Sequence, residues 1–473
     1  MLSRSVCAGI AWVLLGPLTA SAADYYVAPD GDDAAAGSAS APWHSIRHAI
    51  AEASPGDTVL IKGGTYREWV NIDKSGTADA WLTVKAVPGE RVVIDGTGVD
   101  PGDWWHGLVN VQGVSHVRVQ GLRVQKSTHW AIMVRDASDI EIRDNATYDS
   151  VRSGVGLYRS KDILVDGNNV QLAANNGSQE CITIWDSDNV VVSNNEVSHD
   201  GAGENGGEGI DVKDGSSNVV VRGNHVHHLD ELGIYVDAYQ SPTSDVLIEG
   251  NRVHHCRGYG IAVGSEFGGT LRNVRVRNNV VYENSSMGIA LFDWMQGHDH
   301  PVSDVSIINN TTVANGAGSK WAAGIAVLNP QARGVVIRNN IAVNNGFAQI
   351  MDPSGGAEVS ASHNLTHGVR DSGSEIDGPG SSVADPGFVN AAAADFRLAA
   401  ASPAIDAGTA QGAPTTDHAS TARPAGKGLD IGAFERAEPA FTITGPDDLL
   451  ASLLIDFPPR GALLELFVKL SED

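Results

Sequence analysis

One phrase recurs along most of this 473-residue chain: "WAIMV" at 130, "GVGLY" at 154, "CITIW" at 181, "GIDVK" at 209, "GIYVD" at 233, "GIAVG" at 260, "GIALF" at 288 and "GIAVL" at 324. Each is followed by an apolar alternation ending in Asn, as in "VVVRGNHV" and "VSIINNTT". The aligned asparagines are Asn145, Asn168, Asn195, Asn224, Asn251, Asn279, Asn310 and Asn340. Successive ones lie between 23 residues (Asn145 to Asn168) and 31 residues (Asn279 to Asn310) apart. A unit this short cannot bury an apolar face alone and must stack on its neighbours. Period-two alternation with Gly and Asn turns gives each unit two or three short strands. No helical pattern separates the units, which excludes a βαβ sheet. The pattern predicts an all-β fold, a right-handed parallel β-helix (solenoid). The Asn column predicts an amide ladder at a bend, since Asn tolerates left-handed backbone and satisfies turn groups.

A solenoid needs covered ends. "APWHSIRHAIAEASPGDTVLI" predicts a short N-terminal capping helix over residues 44–53, and the β-helix with this cap is expected to span 23–360. Residues 361–440 lose the repeat and predict an irregular C-terminal cap, with closing strands at "ASPAIDAG" and "LDIGAFE". The tail 441–473 is apolar and acidic and has no assigned structure.

Residues 1–22 read as a secretory signal peptide: Arg4, an apolar run from Cys7 to Leu18, then "ASA". No later stretch is apolar for long enough to span a bilayer. The expected product is secreted or periplasmic and monomeric. Arg4 is the only charge in the signal, so cleavage takes the net charge from −25 to −26. That acidity argues against nucleic acid or anionic membrane as a partner. The signal also takes Cys7, leaving Cys181 and Cys256, three coils apart, and no disulfide is expected between them.

Equivalent positions on successive coils sit one strand spacing apart, about 4.8 Å. In "GIDVK", Ile210 and Val212 point inward, so Asp211 and Lys213 point outward. Tyr235 and Asp237 follow one coil later; Thr183 and Trp185 precede. Glu208 stacks on Glu180, a repulsion relieved by a proton or by a cation, Ca²⁺ first. The same outward positions on later coils are bland (Ala262, Gly264, Ala290, Phe292, Ala326, Leu328). Charge on one patch of one face marks a candidate site: Lys213, Asp211, Tyr235 and Asp237 for catalysis, and Glu180, Glu208 and Asp211 for metal. Trp185, Tyr158, Arg159 and Arg135 extend the face toward substrate. A solvated wall, with Lys213 paired to Asp237, is the plainer alternative, and Asp214 reads as a turn former. His199, His228 and His255 form a second column, with His227 and His254 beside it, read as stacked turn residues or a transition-metal site. "WMQGHDH" (294–300) is a longer loop leaving the site column, with His298 and His300 facing ligand or solvent.

The opening "YYVAPDGDD…GSASAPWHSIRHAIAEASPGDTVLIKGGTYREWVNI" resembles secreted pectate lyases of family 9 and some β-helix glycosidases, over roughly residues 24–350. "AIDAG" and "DIGAFE" are similar to closing segments of exported bacterial β-helix proteins. The resemblance implies Ca²⁺ on an acidic "D-D-G-F-D"-like strand and a lysine that removes the sugar C5 proton. "GEGID" matches that strand in part, which makes Glu208 and Asp211 the implied Ca²⁺ ligands; Gly207 stands at the first acid. One coil later are Tyr235 and Asp237 and no lysine, so Lys213 is the substitute base. Asp211, Lys213 and Asp237 also loosely resemble the Asp/His/Asp face of β-helix uronate epimerases. The expected activity is β-elimination on an acidic, uronate-containing polysaccharide. The alternatives are a glycoside hydrolase using paired carboxylates, an epimerase, or a non-catalytic glycan-binding surface protein.

Overall fold

A computed structural model describes residues 22–175, 178–199, 205–294 and 297–437. Residues 1–21 of the expected signal peptide, and residues 438–473 with the expected tail 441–473, lie outside the described residues. Among the described residues, three parallel sheets run along the solenoid, with thirteen, eleven and thirteen strands. Sheet one begins at Asp24–Val27, sheet two at Val70–Ile72 and sheet three at Gly64–Tyr66. One coil shows the order: Ile182–Trp185 in sheet two, Asp188–Ser193 in sheet one, Glu196–Ser198 in sheet three, then Ile210–Lys213 back in sheet two.

The repeated phrases form sheet two in the register read from their alignment. Ile182 pairs with Ile210 and Ile210 with Ile234. Inward positions make aliphatic columns: Val155, Ile182, Ile210, Ile234, Ile261 and Ile289 are fully buried. Each buried aliphatic side chain contributes about 1.5–3 kcal/mol. The glycine that opens the phrase answers to crowding. A Cβ on Gly209 would sit 2.4 Å from the Gly233 carbonyl oxygen, and one on Gly233 would sit 2.5 Å from that of Gly260.

The amide ladder forms at the bend between sheets one and three. Asn195 Nδ2 donates to Asn224 Oδ1 at 3.0 Å and to the Val165 carbonyl at 3.0 Å. Asn224 repeats the pattern onto Asn251, and the ladder continues through Asn340 to Asn364. The left-handed residue is the one before each ladder Asn, for example Asn194 (φ 54°), Gly223 (63°) and Asn278 (56°). The ladder amides themselves serve as hydrogen-bonding groups. A second ladder, absent from the sequence reading, links Asn284, Asn315, Asn345 and Gln349.

The N-terminal helix is Ile46–Glu52, shorter than the expected 44–53. Ser45 caps it by accepting from the His48 N–H, and Glu68 accepts from the Ile46 and Arg47 amides. Ile46, Ala49 and Ile50 are buried against the first coil. Coil strands continue to Leu365–His367 and, in sheet three, to Ser382–Val383. The expected closing strands at 401–408 and 429–435 are irregular chain instead. Asp430 and Glu435 accept backbone N–H groups there, so no strand ladder is needed. Ala404 and Ile431 pack on Ile341, Val343 and Leu365, and the Arg423–Glu435 pair is completely buried at 2.6 Å. Cys181 and Cys256 are both buried in the solenoid core.

Candidate active site

On sheet two the outward residues of three coils close around a cavity of about 370 Å³. Glu180, Trp185, Glu208, Asp211, Lys213, Tyr235 and Asp237 all line it. The register places Asp211 between Thr183 and Tyr235, and Lys213 beside Trp185. These side chains leave the core as alternation dictates, yet they are not solvated. Asp211 is 2 % exposed, and Glu180, Tyr235 and Asp237 are 5 % exposed. The outward alanines of later coils are also covered: Ala262 lies with Tyr235 under Phe292, and Ala290 and Ala326 lie in a cluster with Met287 and Met351.

Lys213 pairs with Glu180 at 2.5 Å and Asp211 at 3.5 Å. The Lys213–Asp237 pair of the plainer alternative does not form among the described residues. Burial pushes the Lys213 ammonium down, but Glu180 and Asp211 outweigh it and hold the group above its ordinary value. Burial, then Glu180, raises Glu208 to about 7. Burial and Asp237 hold Asp211 well above the carboxylate range, and burial does the same to Asp237 against the pull of Lys213. Tyr235 donates to Glu266 at 2.6 Å and is raised by burial, Asp237 and Glu266. Thr183 donates to the second oxygen of Glu180. Asp214 opens the turn with Gly215, as expected, and its side chain accepts from the Gln240 and Ser241 amides of the next coil.

Glu208 Oε2, Asp211 Oδ1 and Gln179 Oε1 are buried with no hydrogen-bond partner among the described residues. A buried acceptor without a donor costs about 1–3 kcal/mol, and more when charged. Three such oxygens in one acidic pocket match the ligand chemistry of a hard divalent cation. Gln179 also holds φ at 94°, a backbone state that costs a non-glycine residue of order 1–3 kcal/mol.

The aromatic wall is larger than expected. Tyr158 stacks on Trp105 with ring centres 4.5 Å apart, and Trp185 meets both. Trp104 adjoins Trp105 and lies under the Arg152 guanidinium at 3.7 Å. Arg152 also donates to Ser178 at the pocket edge. Arg135 and Arg159 are a correction: both turn to Asp136, at 3.4 and 2.7 Å, and neither lines the cavity. Arg159 follows the strand Val155–Tyr158 in left-handed backbone, which swings its side chain into the turn. His300 is likewise a correction: it is 5 % exposed and bonds the Ser265 carbonyl at 2.7 Å. His298 packs on Phe267, which packs on Tyr239 of the pocket wall. Glu266, Gln179, Trp104, Trp105 and Arg152 were missed because they lie outside the aligned phrase. The doubled Trp of "DWWHG" was the one available signal.

The fold and this groove define a parallel β-helix whose one decorated face carries a recessed acidic pocket with an aromatic rim. Residues 25–289, more than half of the chain, match the family described as Pel9A-like, right handed beta helix region, and the chain belongs to that family. It is 34% identical over 149 residues to "Pectate lyase PEL9" of Emericella nidulans, covering 29% of this chain and 36% of that one. It is 32% identical over 131 residues to "Uncharacterized protein YwoF" of Bacillus subtilis, covering 26% of this chain and 28% of that one. The chain thus spans about a third of the length of the curated relatives it matches. Among solved structures, pectate lyase Pel9A superposes with a TM-score of 0.55 at 19% identity, over 88% of this chain and 97% of that one. XylC in complex with xylose gives a TM-score of 0.55 at 13% identity, over 88% and 99%. These two likenesses establish the fold.

Proposed function

We infer that the pocket binds an acidic, uronate-containing polysaccharide and cleaves it by β-elimination. The observation that carries this reading is the set of unpartnered oxygens on Glu208 and Asp211 beside the Lys213 ammonium. Glu180, Glu208 and Asp211 would hold Ca²⁺, which supplies the positive charge that neutralises a substrate carboxylate and the developing enolate-like charge. The relative named pectate lyase and the family membership support the same class.

The chain's residues then divide the work. Trp185, Tyr158 and Trp105 offer apolar faces for sugar rings. As it stands Lys213 keeps its proton, held there by Glu180 and Asp211. With those two carboxylates engaged as ligands, the two largest influences raising Lys213 would be lost, leaving burial, which lowers it toward the range of a working base, against Asp237. Its amine accepts the C5 proton while the glycosidic oxygen leaves from C4. Tyr235, held by Glu266, positions the ring from the adjacent coil. Export through residues 1–22 fits such a substrate, and no helix among the described residues is long and apolar enough to cross a membrane.

A second reading rests on Asp211 and Asp237, two buried carboxyls on adjacent coils that both keep protons unusually well. A hydrolase needs one protonated acid beside one carboxylate. The deciding experiment follows unsaturated uronate by ultraviolet absorbance on pectic, alginate and glycosaminoglycan substrates, with Ca²⁺ and with chelator. Absorbance that chelation and Lys213→Ala both remove supports the lyase. New reducing ends on a neutral glycan, without absorbance and insensitive to chelator, would establish the hydrolase. A changed uronate epimer ratio without cleavage would establish the epimerase, and binding without turnover the glycan-binding protein.

A further inference from the structure

Sheet three carries a second polar cluster, on a different sheet from the acidic pocket. The strand His225–His227 lies between Glu196–Ser198 and Arg252–His254. Val197, Val226 and Val253 point into the core, so Glu196, His225 and His227 share the outer face. The ligand-capable atoms of these three all lie within 4.8 Å of one another. His227 Nε2 is already 3.4 Å from Glu196 Oε1.

The surrounding rings orient this set. His227 Nδ1 meets His228 Nδ1 at 2.8 Å, which leaves Nε2 turned to the carboxylate. His254 stacks on His227 with ring planes 6° apart and contacts His225 at 2.8 Å. Histidine ligands of metals characteristically have the other ring nitrogen engaged in this way. Arg252, on the neighbouring strand, is the adjacent fixed positive charge and lies over Tyr282.

We propose that Glu196, His225 and His227 form a binding site for one divalent first-row transition cation such as Zn²⁺, which clamps two successive coils together. Two imidazoles and one carboxylate are a borderline donor set suited to Zn²⁺ and unsuited to Ca²⁺. The 4.8 Å spread exceeds the separation of ligands around a bound ion, and the exposed Glu196 side chain, whose other oxygen accepts from Asn169 Nδ2 at 3.0 Å, must turn to close it. With the ion on Nε2, His227 keeps its proton on Nδ1 and donates it to His228. The site needs no opening of the core, because every ligand already stands on the outer face.

The test is isothermal titration of Zn²⁺ into untagged full-length protein, with Co²⁺ absorption as a second readout. The expected result is one ion per chain, a tetrahedral-type Co²⁺ spectrum and a raised Tm. His225→Ala and His227→Ala should each weaken binding at least tenfold and abolish the rise in Tm. Lys213→Ala and Asp211→Asn should leave it unchanged. Circular dichroism and the metal-free Tm establish that each variant is folded; should His227→Ala fail to fold, Glu196→Gln replaces it. Absence of Zn²⁺ binding, or binding that survives these replacements, overturns the proposal.

Discussion

At the residue scale the molecule sets one cation among several acids. Lys213 answers Glu180 and Asp211, while Glu208 and Asp237 remain. In the lyase reading, Lys213→Ala lowers the rate of unsaturated-product formation by about 10²–10⁴-fold, the usual contribution of a general base. Binding of Ca²⁺, read by calorimetry, survives that change but is weakened by Asp211→Asn. Glu208 also predicts a pH dependence of stability. Between its ordinary value of 4.5 and its folded value of about 7, the folded chain holds a proton that the unfolded chain has lost. Stability from this group therefore falls as pH rises through that window. In chelator, Glu208→Gln should flatten the Tm profile between about pH 5 and about pH 8 and raise Tm at the upper end. An unchanged slope would remove Glu208 as its source. Glu180, Trp185, Glu208, Asp211, Lys213, Tyr235 and Asp237 were legible together in the sequence, because in-register stacking turns alignment into adjacency. Arg135 and Arg159 were misplaced, because the nearest carboxylate, Asp136, captures them and only side-chain placement reveals it.

At the scale of the element, the bends carry as much of the architecture as the strands. Each ladder amide satisfies both its neighbour and a backbone carbonyl, so deleting one orphans several buried groups at once. Asn224→Ala removes the acceptor of the Asn195 N–H and side chain and the donor to Val192. At about 1–3 kcal/mol per orphaned group, it should lower the urea midpoint more than Asn364→Ala, at the end of the ladder. Equal losses would mean the ladder is not cooperative. Gly233→Ala should be costly for a different reason: its Cβ would meet Val253 at 2.3 Å and the Gly260 carbonyl oxygen at 2.5 Å. The repeated Gly and Asn were visible as repeats. The second ladder was missed because its members, Asn284, Asn315 and Asn345, begin only in the later coils and end on a Gln.

At the scale of the whole molecule, a chain of net charge −25 faces a substrate proposed to be acidic. Long-range repulsion slows their encounter, and salt screens it over a Debye length of about 8–10 Å near physiological strength. The KM for an acidic polysaccharide should therefore fall as salt rises from low to about 0.15 M, opposite to a cationic groove. A KM that rises would show that local cations dominate the approach. The repeat alone encodes the solenoid, its strand register and the residues that neighbour one another on sheet two. Those follow from a repeat whose spacing is set by backbone hydrogen bonding between adjacent coils. Three-dimensional packing settled that the outward acids are buried, that Glu180 and not Asp237 takes Lys213, that Glu266 joins the pocket lining, and that Trp105 and Arg152 adjoin it through Trp185 and Ser178. It also decided that 401–408 and 429–435 dock as irregular chain. These outcomes depend on desolvation and charge balance among loops distant in sequence, and no repeat spacing encodes them.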